Sequence, residues 1–184
     1  MAINTFAVCD DVFAPQELDG LAQLGDRLVQ RRAQVTAQGQ HDPALRITQV
    51  AWITPEPEHR ELFARIGTAV RRLNAQFFGF DITELEPLQY TVYHGAEGGH
   101  YGWHVDAGPN TPAPRKLSLS IQLSEPGAYA GCDLQFQSGP KIDTAPRTRG
   151  AVIAFPSFFL HRVTPILSGT RKALVVWANG PQFR

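Results

Sequence analysis

Two stretches in the first half of the chain repeat apolar residues at helical spacing, whereas the second half is built of short runs suited to strands. From Pro15 to about Val35, the residues Leu18, Leu21, Leu28 and Val29 fall on one helical face, and Pro15 suits a first turn. Gly20 and Gly25 weaken that pattern. A second helix is clearer, because Leu62, Phe63, Ile66, Val70, Leu73 and Phe77 recur at intervals of three and four. Arg31, Arg32, Arg71 and Arg72 lie off these stripes and read as solvated helix faces. After Gly79 the runs ELEPLQYTVY, RKLSLSIQLS, CDLQFQ, GAVIAFP, HRVTPI and RKALVVWA are separated by Gly and Pro. The expectation is a mainly β sandwich or barrel with flanking helices, an α+β arrangement with the helices on one sheet.

Two runs carry further information. In KLSLSIQLS, Leu117, Leu119, Ile121 and Leu123 alternate with Ser118, Ser120 and Gln122, which gives one apolar and one polar face. In ALVVWAN, Ala173, Val175 and Trp177 share a face that continues back to Arg171, while Leu174 and Val176 share the other. A strand apolar on both faces is expected to be covered on both.

The chain of 184 residues suits one domain, with no internal repeat or linker evident. Seventeen basic residues balance seventeen acidic ones, so overall charge gives no reason to expect a nucleic-acid partner or an anionic membrane. Cys9 and Cys132 are too few for a disulfide framework. The start MAINTFAVCDD lacks the basic flank and apolar run of a signal peptide, and no stretch is long enough to span a bilayer, so a cytoplasmic location is expected.

The candidate chemistry begins in GGHYGWHVDAG, where His104 and Asp106 are two apart and, if extended, project from one face of a strand. His161 and Arg171 follow in FLHRVTPILSGTRKALVVW. Two histidines and one carboxylate on one face of a metal, with open positions opposite, suit non-haem Fe(II) chemistry. The same donors also suit zinc in a hydrolase or isomerase, and a non-catalytic ligand-binding barrel is a third reading. An arginine beyond the distal histidine can bind a carboxylate through its planar fork, a need that iron with an oxoacid co-substrate has and hydrolytic zinc lacks.

The ordered blocks YHGAEGGHYGWHVD, AGCDLQF and HRVTPILSGTRKALVVW resemble the prolyl 4-hydroxylase type of 2-oxoglutarate- and Fe(II)-dependent dioxygenase over about residues 88 to 180. The resemblance implies a double-stranded β-helix, or jelly roll, with residues 1–83 as helical and strand support and substrate region and 84–180 as the catalytic β-core. It implies Fe(II) held by His104, Asp106 and His161, with 2-oxoglutarate and O2 as co-substrates. Arg171 would bind the distal carboxylate of 2-oxoglutarate. Tyr93 would reach the same cofactor, with Tyr90 a competitor for that role because the spacing to Tyr101 is one residue longer than usual. Tyr101 would lie beside the site, Gln122 would contact the cofactor, Leu134 would form an apolar wall, and Trp177 would sit near the metal. On this reading the polar face of KLSLSIQLS lines the pocket and its leucines pack beneath the helices.

Cys132 stands where the family often has a second glycine, and Asp106 stands where a related halogenase has a small residue. His94 and His100 read as surface or hydrogen-bonded side chains, His41 and His59 belong to no constellation, and Arg115 and Arg147 read as exposed loop residues. Trp103 faces away from the ligands. The implied reaction is hydroxylation of an unactivated C–H bond with release of succinate and CO2. The substrate is a small molecule or peptide: a prolyl residue, an amino acid or a metabolite. Selectivity is expected in the N-terminal half and in the Pro-rich loop from Ala107 to Arg115, a candidate lid.

Overall fold

A computed structural model describes residues 5–34, 40–107 and 114–182. In chain order its strands are β1 (Ala7–Cys9), β2 (Arg31–Arg32), β3 (Arg46–Ile47), β4 (Gln49–Ile53), β5 (Glu84–Leu85), β6 (Leu88–His94) and β7 (His100–His104). They continue as β8 (Arg115–Gln122), β9 (Tyr129–Gly131), β10 (Leu134–Ser138), β11 (Lys141–Thr144), β12 (Val152–Pro156), β13 (His161–Val163) and β14 (Ile166–Asn179). Helix α1 spans Pro15–Arg27 and α2 spans Arg60–Leu73.

Two antiparallel sheets face each other in a jelly roll. The larger runs β1-β12-β8-β14-β6-β4-β2, with β5 and β9 also paired to β14, and the smaller runs β11-β10-β13-β7-β3. The outer face of the larger sheet carries Leu117, Leu119, Ile121, Leu174 and Val176, which bury against Leu18 and Leu21 of α1 and Ile66, Val70 and Leu73 of α2. The apolar stripes of helices and strands therefore meet in one core, as the alternation predicts. The inner face of the larger sheet is left to line the space between the sheets.

The first helix is shorter than expected. It ends at Arg27, Leu28 adopts an extended conformation, and Arg31–Arg32 forms an edge strand paired with Val50 and Gln49. These arginines therefore belong to a sheet edge and not to a helix face; Val35, the expected helix end, lies outside the described residues. The β texture also begins earlier than Gly79, because TQVAWI supplies β4 beside β6. The second helix agrees with its periodicity and runs on through a π-helical turn, Asn74–Phe78, to Gly79 at φ 71°.

Gly25 explains how α1 can lie so close to the sheet. A Cβ at this position would overlap the Tyr90 ring, whose hydroxyl donates to Asp26 Oδ1 at 2.7 Å. Gly25→Ala is expected to destabilise the protein by about 1–3 kcal/mol through overpacking. That corresponds to a Tm lower by roughly 3–10 °C for a chain of this size, measurable by thermal denaturation. An unchanged Tm would show that α1 can lift from Tyr90 at no cost.

Candidate metal and co-substrate site

The strands set the two histidines opposite each other. His104 ends β7 and pairs directly with His161 at the start of β13. In each case ring Nδ1 is 2.8 Å from the carbonyl two residues back, that of Gly102 for His104 and that of Phe159 for His161. With Nδ1–H donating to a carbonyl, Nε2 keeps its lone pair, the form a metal requires. His104 Nε2 is 3.5 Å from Asp106 Oδ1 and His161 Nε2 is 3.6 Å from Asp106 Oδ2. The three donor groups lie within 4.8 Å of one another, so their geometry and chemistry fit a divalent metal.

Asp106 is not held as the His-x-Asp spacing suggests. β7 stops at His104, and Asp106 occupies a bend beyond it. Its backbone N–H donates to the Ser157 carbonyl at 2.9 Å, and Ser118 Oγ donates to Oδ2 at 2.7 Å. Ser157 Oγ in turn lies 2.9 Å from Ser118 Oγ. The carboxylate is thus aimed by β8 and by the turn after β12, not by the pleat of its own strand.

Burial alone would raise the Asp106 carboxyl, but His161, His104 and the Ser118 hydroxyl hold it well below the usual carboxylate range. For His161, burial lowers the imidazole from 6.5 to about 4, with His104 adding to the fall and Asp106 opposing it. The unfolded chain binds a proton on this histidine near pH 6.5, whereas the folded chain resists until about 4, so the stabilisation is complete above 6.5 and is lost as pH falls toward 4. Asp106 adds a loss in the same direction once pH falls below 3.8. Metal-free protein is expected to lose about 2 kcal/mol between roughly pH 7 and pH 5, read from denaturant midpoints. A stability that is flat or rises on acidification contradicts this.

Cross-strand rows of the larger sheet form the floor of a cavity of about 1030 Å³. One row is Ser118 and Trp177; the next is Ser120, Val175, Gln89 and Trp52; a third is Gln122, Ala173, Thr91 and Val50; the last is Arg171 with Tyr93. Ser118, beside Asp106, marks the triad end. Four residues along β8, Gln122 marks the other end, where its Oε1 accepts from Arg171 Nε at 3.1 Å and Nη2 at 2.9 Å.

Arg171 is 2% exposed and has no carboxylate partner among the described residues. A buried guanidinium without an anion is costly, so this cation fits an anionic ligand. Its guanidinium carbon is 5.6 Å from the centre of the Tyr93 ring. Burial raises the Tyr93 phenol, keeping it a neutral donor. Tyr90 lies on the other face of β6, packed under α1 and bonded to Asp26, and does not meet Arg171. Tyr101 stacks on His104 with ring centres 3.5 Å apart, and Leu134 lines the cavity wall. Trp177 lines the same cavity, its ring 3.8 Å beneath the Arg115 guanidinium.

Several residues depart from their expected surroundings. Arg115 is no exposed loop residue: it opens β8 and pairs with Glu86 through Nε at 2.7 Å and Nη2 at 2.6 Å. Arg147 likewise bonds Asp133 Oδ1 at 2.7 Å and the Gly131 carbonyl at 2.6 Å. Cys132, at the position of the family glycine, has φ 58°, a left-handed backbone that favours glycine, so its side chain is carried there at a cost in strain. His94 and His100 are hydrogen-bonded outside the triad, to Thr170 and to the Gly98 carbonyl. Trp103 faces away from the ligands, with Arg162 over its ring. Of the expected lid, residues 108–113 lie outside the described residues.

Sequence reasoning also missed cavity residues. Arg46, Trp52 and Gln89 line the site from β3, β4 and β6, and Tyr129 lies near Arg171. The β-type run TQVAWI, with a tryptophan on an alternating face, was the available signal for Trp52.

A jelly roll with two histidines and an aspartate at one end of its cavity and a buried arginine at the other defines a non-haem metal oxygenase architecture. Residues 88–179 match the family model described as the 2OG-Fe(II) oxygenase superfamily, and the chain belongs to that superfamily. It is 32% identical over 130 residues to a PKHD-type hydroxylase of Teredinibacter turnerae, covering 66% of this chain and 57% of that protein. A PKHD-type hydroxylase of Synechococcus sp. is 39% identical over 87 residues, 47% of this chain and 39% of that one. The chain spans about half the length of the curated relatives it matches. Among solved structures, a Pseudomonas putida prolyl-4-hydroxylase superposes with TM-score 0.75 at 18% identity, over 97% of this chain and 94% of that one. A prolyl hydroxylase from Trichoplax adhaerens, solved with a hypoxia inducible factor peptide fragment, gives 0.73 at 20% identity, over 96% and 84%. These two likenesses establish the fold. None of the described helices is long and apolar enough to cross a membrane.

Proposed function

We propose that the protein is a 2-oxoglutarate- and O2-dependent hydroxylase of an unactivated C–H bond. The observation that carries this reading is the pairing, in one cavity, of a converging His104, Asp106 and His161 set with the buried, anion-seeking Arg171. The triad would hold Fe(II). Arg171, oriented by Gln122 and backed by Tyr93, would hold the distal carboxylate of 2-oxoglutarate through a charge-assisted pair. Bound iron and 2-oxoglutarate supply the oxidising chemistry, in which O2 is consumed, 2-oxoglutarate becomes succinate and CO2, and a substrate C–H becomes C–OH.

The chain's own residues supply position and surroundings. The carbonyls of Gly102 and Phe159 fix the tautomer of both histidines, and Ser118 keeps the Asp106 carboxylate turned toward them. Leu134 and Phe155 exclude water on one side, and Tyr101 covers His104 on another. Trp177 forms the wall at the triad end, where a substrate must approach.

The substrate is a small molecule or peptide, and a prolyl residue, a free amino acid or another metabolite each fits a cavity of this size. The test is anaerobic addition of Fe(II) and 2-oxoglutarate, followed by admission of O2. A metal-to-ligand charge-transfer band and O2-dependent succinate release are expected. Absence of both in folded protein would refute the reading. The expected cytoplasmic location is part of the same proposal, checked by fractionation of cells expressing the chain.

A further inference from the structure

The cavity walls carry more positive charge than the proposed cofactor chemistry uses. Among the described residues, the charged ones lining it, apart from the histidines, are Arg31, Arg32, Arg46, Arg115 and Arg171, against the single acid Asp106. The chain as a whole is formally neutral, so this is a local segregation of charge. Glu86 neutralises Arg115. On the functional reading above, a divalent metal, Asp106, the dianionic co-substrate and Arg171 neutralise one another. Arg46 is left over, with Arg31 and Arg32 at the exposed edge strand.

Arg46 has the features of a binding group. It projects from β3, which pairs with β7 so that Arg46 lies opposite Tyr101. Its guanidinium carbon is 4.4 Å from the Tyr101 ring centre, and that ring stacks on His104, so the cation stands one aromatic layer from a triad imidazole. Nη2 donates to the neutral Gln89 Oε1 at 3.0 Å, Nε is buried with no hydrogen-bond partner, and no carboxylate pairs with the group among the described residues. A half-buried cation held by stacking and by two neutral partners, Gln89 and the Tyr101 hydroxyl, keeps donors for an incoming anion.

The surroundings define the rest of the ligand. Gln89 lies directly opposite Trp52 in the sheet, and Trp52 is 46% exposed with its ring 6.0 Å from that of Trp177. Trp177 Nε1 is buried and unpartnered. An exposed indole beside a cavity offers a flat apolar surface for the body of a ligand whose charged end meets Arg46.

We infer that the molecule hydroxylated is a small organic acid, with its carboxylate recognised by Arg46 and its apolar body set against Trp52. An uncharged prolyl segment of a polypeptide would leave Arg46 without an anion. The inference rests on the functional reading for the assignment of Arg171 and Asp106 to the cofactors.

The experiment uses the full chain loaded with Mn(II) and saturating N-oxalylglycine, which occupies the co-substrate position without turnover. Titration calorimetry compares N-acetyl-L-proline with N-acetyl-L-prolinamide, and hippurate with hippuramide. Within each pair only the carboxylate differs. At least one acid is expected to bind about 10-fold or more tightly than its amide, the scale of one charge-assisted contact. Arg46→Gln is expected to bring that ratio close to unity, and Arg46→Lys to retain part of it. A merely structural role for Arg46 would weaken acid and amide alike and leave the ratio unchanged. Equal binding of acid and amide, no binding of either acid, or a ratio that survives Arg46→Gln overturns the inference. Failure of N-oxalylglycine itself to bind counts instead against the functional reading, and an acid preference that still follows Arg46 in its absence upholds carboxylate recognition by Arg46 alone.

Discussion

Replacing either His104 or Asp106 by alanine is expected to weaken Fe(II) binding by at least about 100-fold, because even the partners that orient a ligand are worth 10–100-fold. The reason is local. Nδ1 of each histidine is committed to a backbone carbonyl, so no neighbouring nitrogen of the pair can turn to replace the one lost. His94 and His100 are bonded elsewhere and cannot substitute. The charge-transfer band should vanish and O2-dependent succinate release should fall to background in both variants. Ser118→Ala is a graded control, since it removes the 2.7 Å hydrogen bond to Asp106 without removing a donor to the metal. It should weaken the metal by roughly 10–100-fold. Full metal affinity in His104→Ala would show that the three side chains do not act as a set.

Arg171→Ala should leave metal affinity nearly intact and weaken 2-oxoglutarate binding by about 30-fold to several thousand-fold, the cost of truncating one partner of a buried charge pair. The structure makes this separation possible, because Arg171 lies at the far end of the cavity floor from Ser118 and meets Gln122, not the triad. Titration of the metal-loaded protein with 2-oxoglutarate measures the effect. Arg171→Lys is expected to recover only part, since an ammonium keeps the charge but cannot reproduce the fork that bonds Gln122 and a carboxylate together. Equal co-substrate affinity in Arg171→Ala and the parent protein would remove Arg171 from the role.

These expectations also show how much of the site was legible in the chain. The alternation in KLSLSIQLS divided the strand into two faces, and the structure keeps that division: the leucines meet the helices, while on the other face Ser120 lines the cavity, Ser118 bonds Asp106 and Gln122 bonds Arg171. Alternation could not say which face was inward. Both faces are buried in a jelly roll covered by helices, so polarity stopped marking solvent. The family motif made that choice, and the sheet register agrees.

Other features were invisible for physical reasons. Tyr90 and Tyr93 are three apart, so on one strand they point to opposite faces, yet only the position of α1 over Gly25 shows which tyrosine is taken by the core. Arg115 looked like a loop residue because its partners, Glu86 and Trp177, come from distant parts of the chain. Arg46 carried no motif, and its importance arises from a two-residue strand laid beside Tyr101.

The sequence by itself determined the face of the second helix, the Leu18 and Leu21 side of the first, the strand-rich second half, and the identities and order of His104, Asp106, His161 and Arg171, because local periodicity and motif spacing are properties of the chain. Only the tertiary structure decided that His104 and His161 are cross-strand neighbours, that Asp106 is aimed by Ser118 from another strand, and that Arg46 faces the cavity. Those are matters of register between segments far apart in the chain, and register is set by the joint burial of both sheets against the helices.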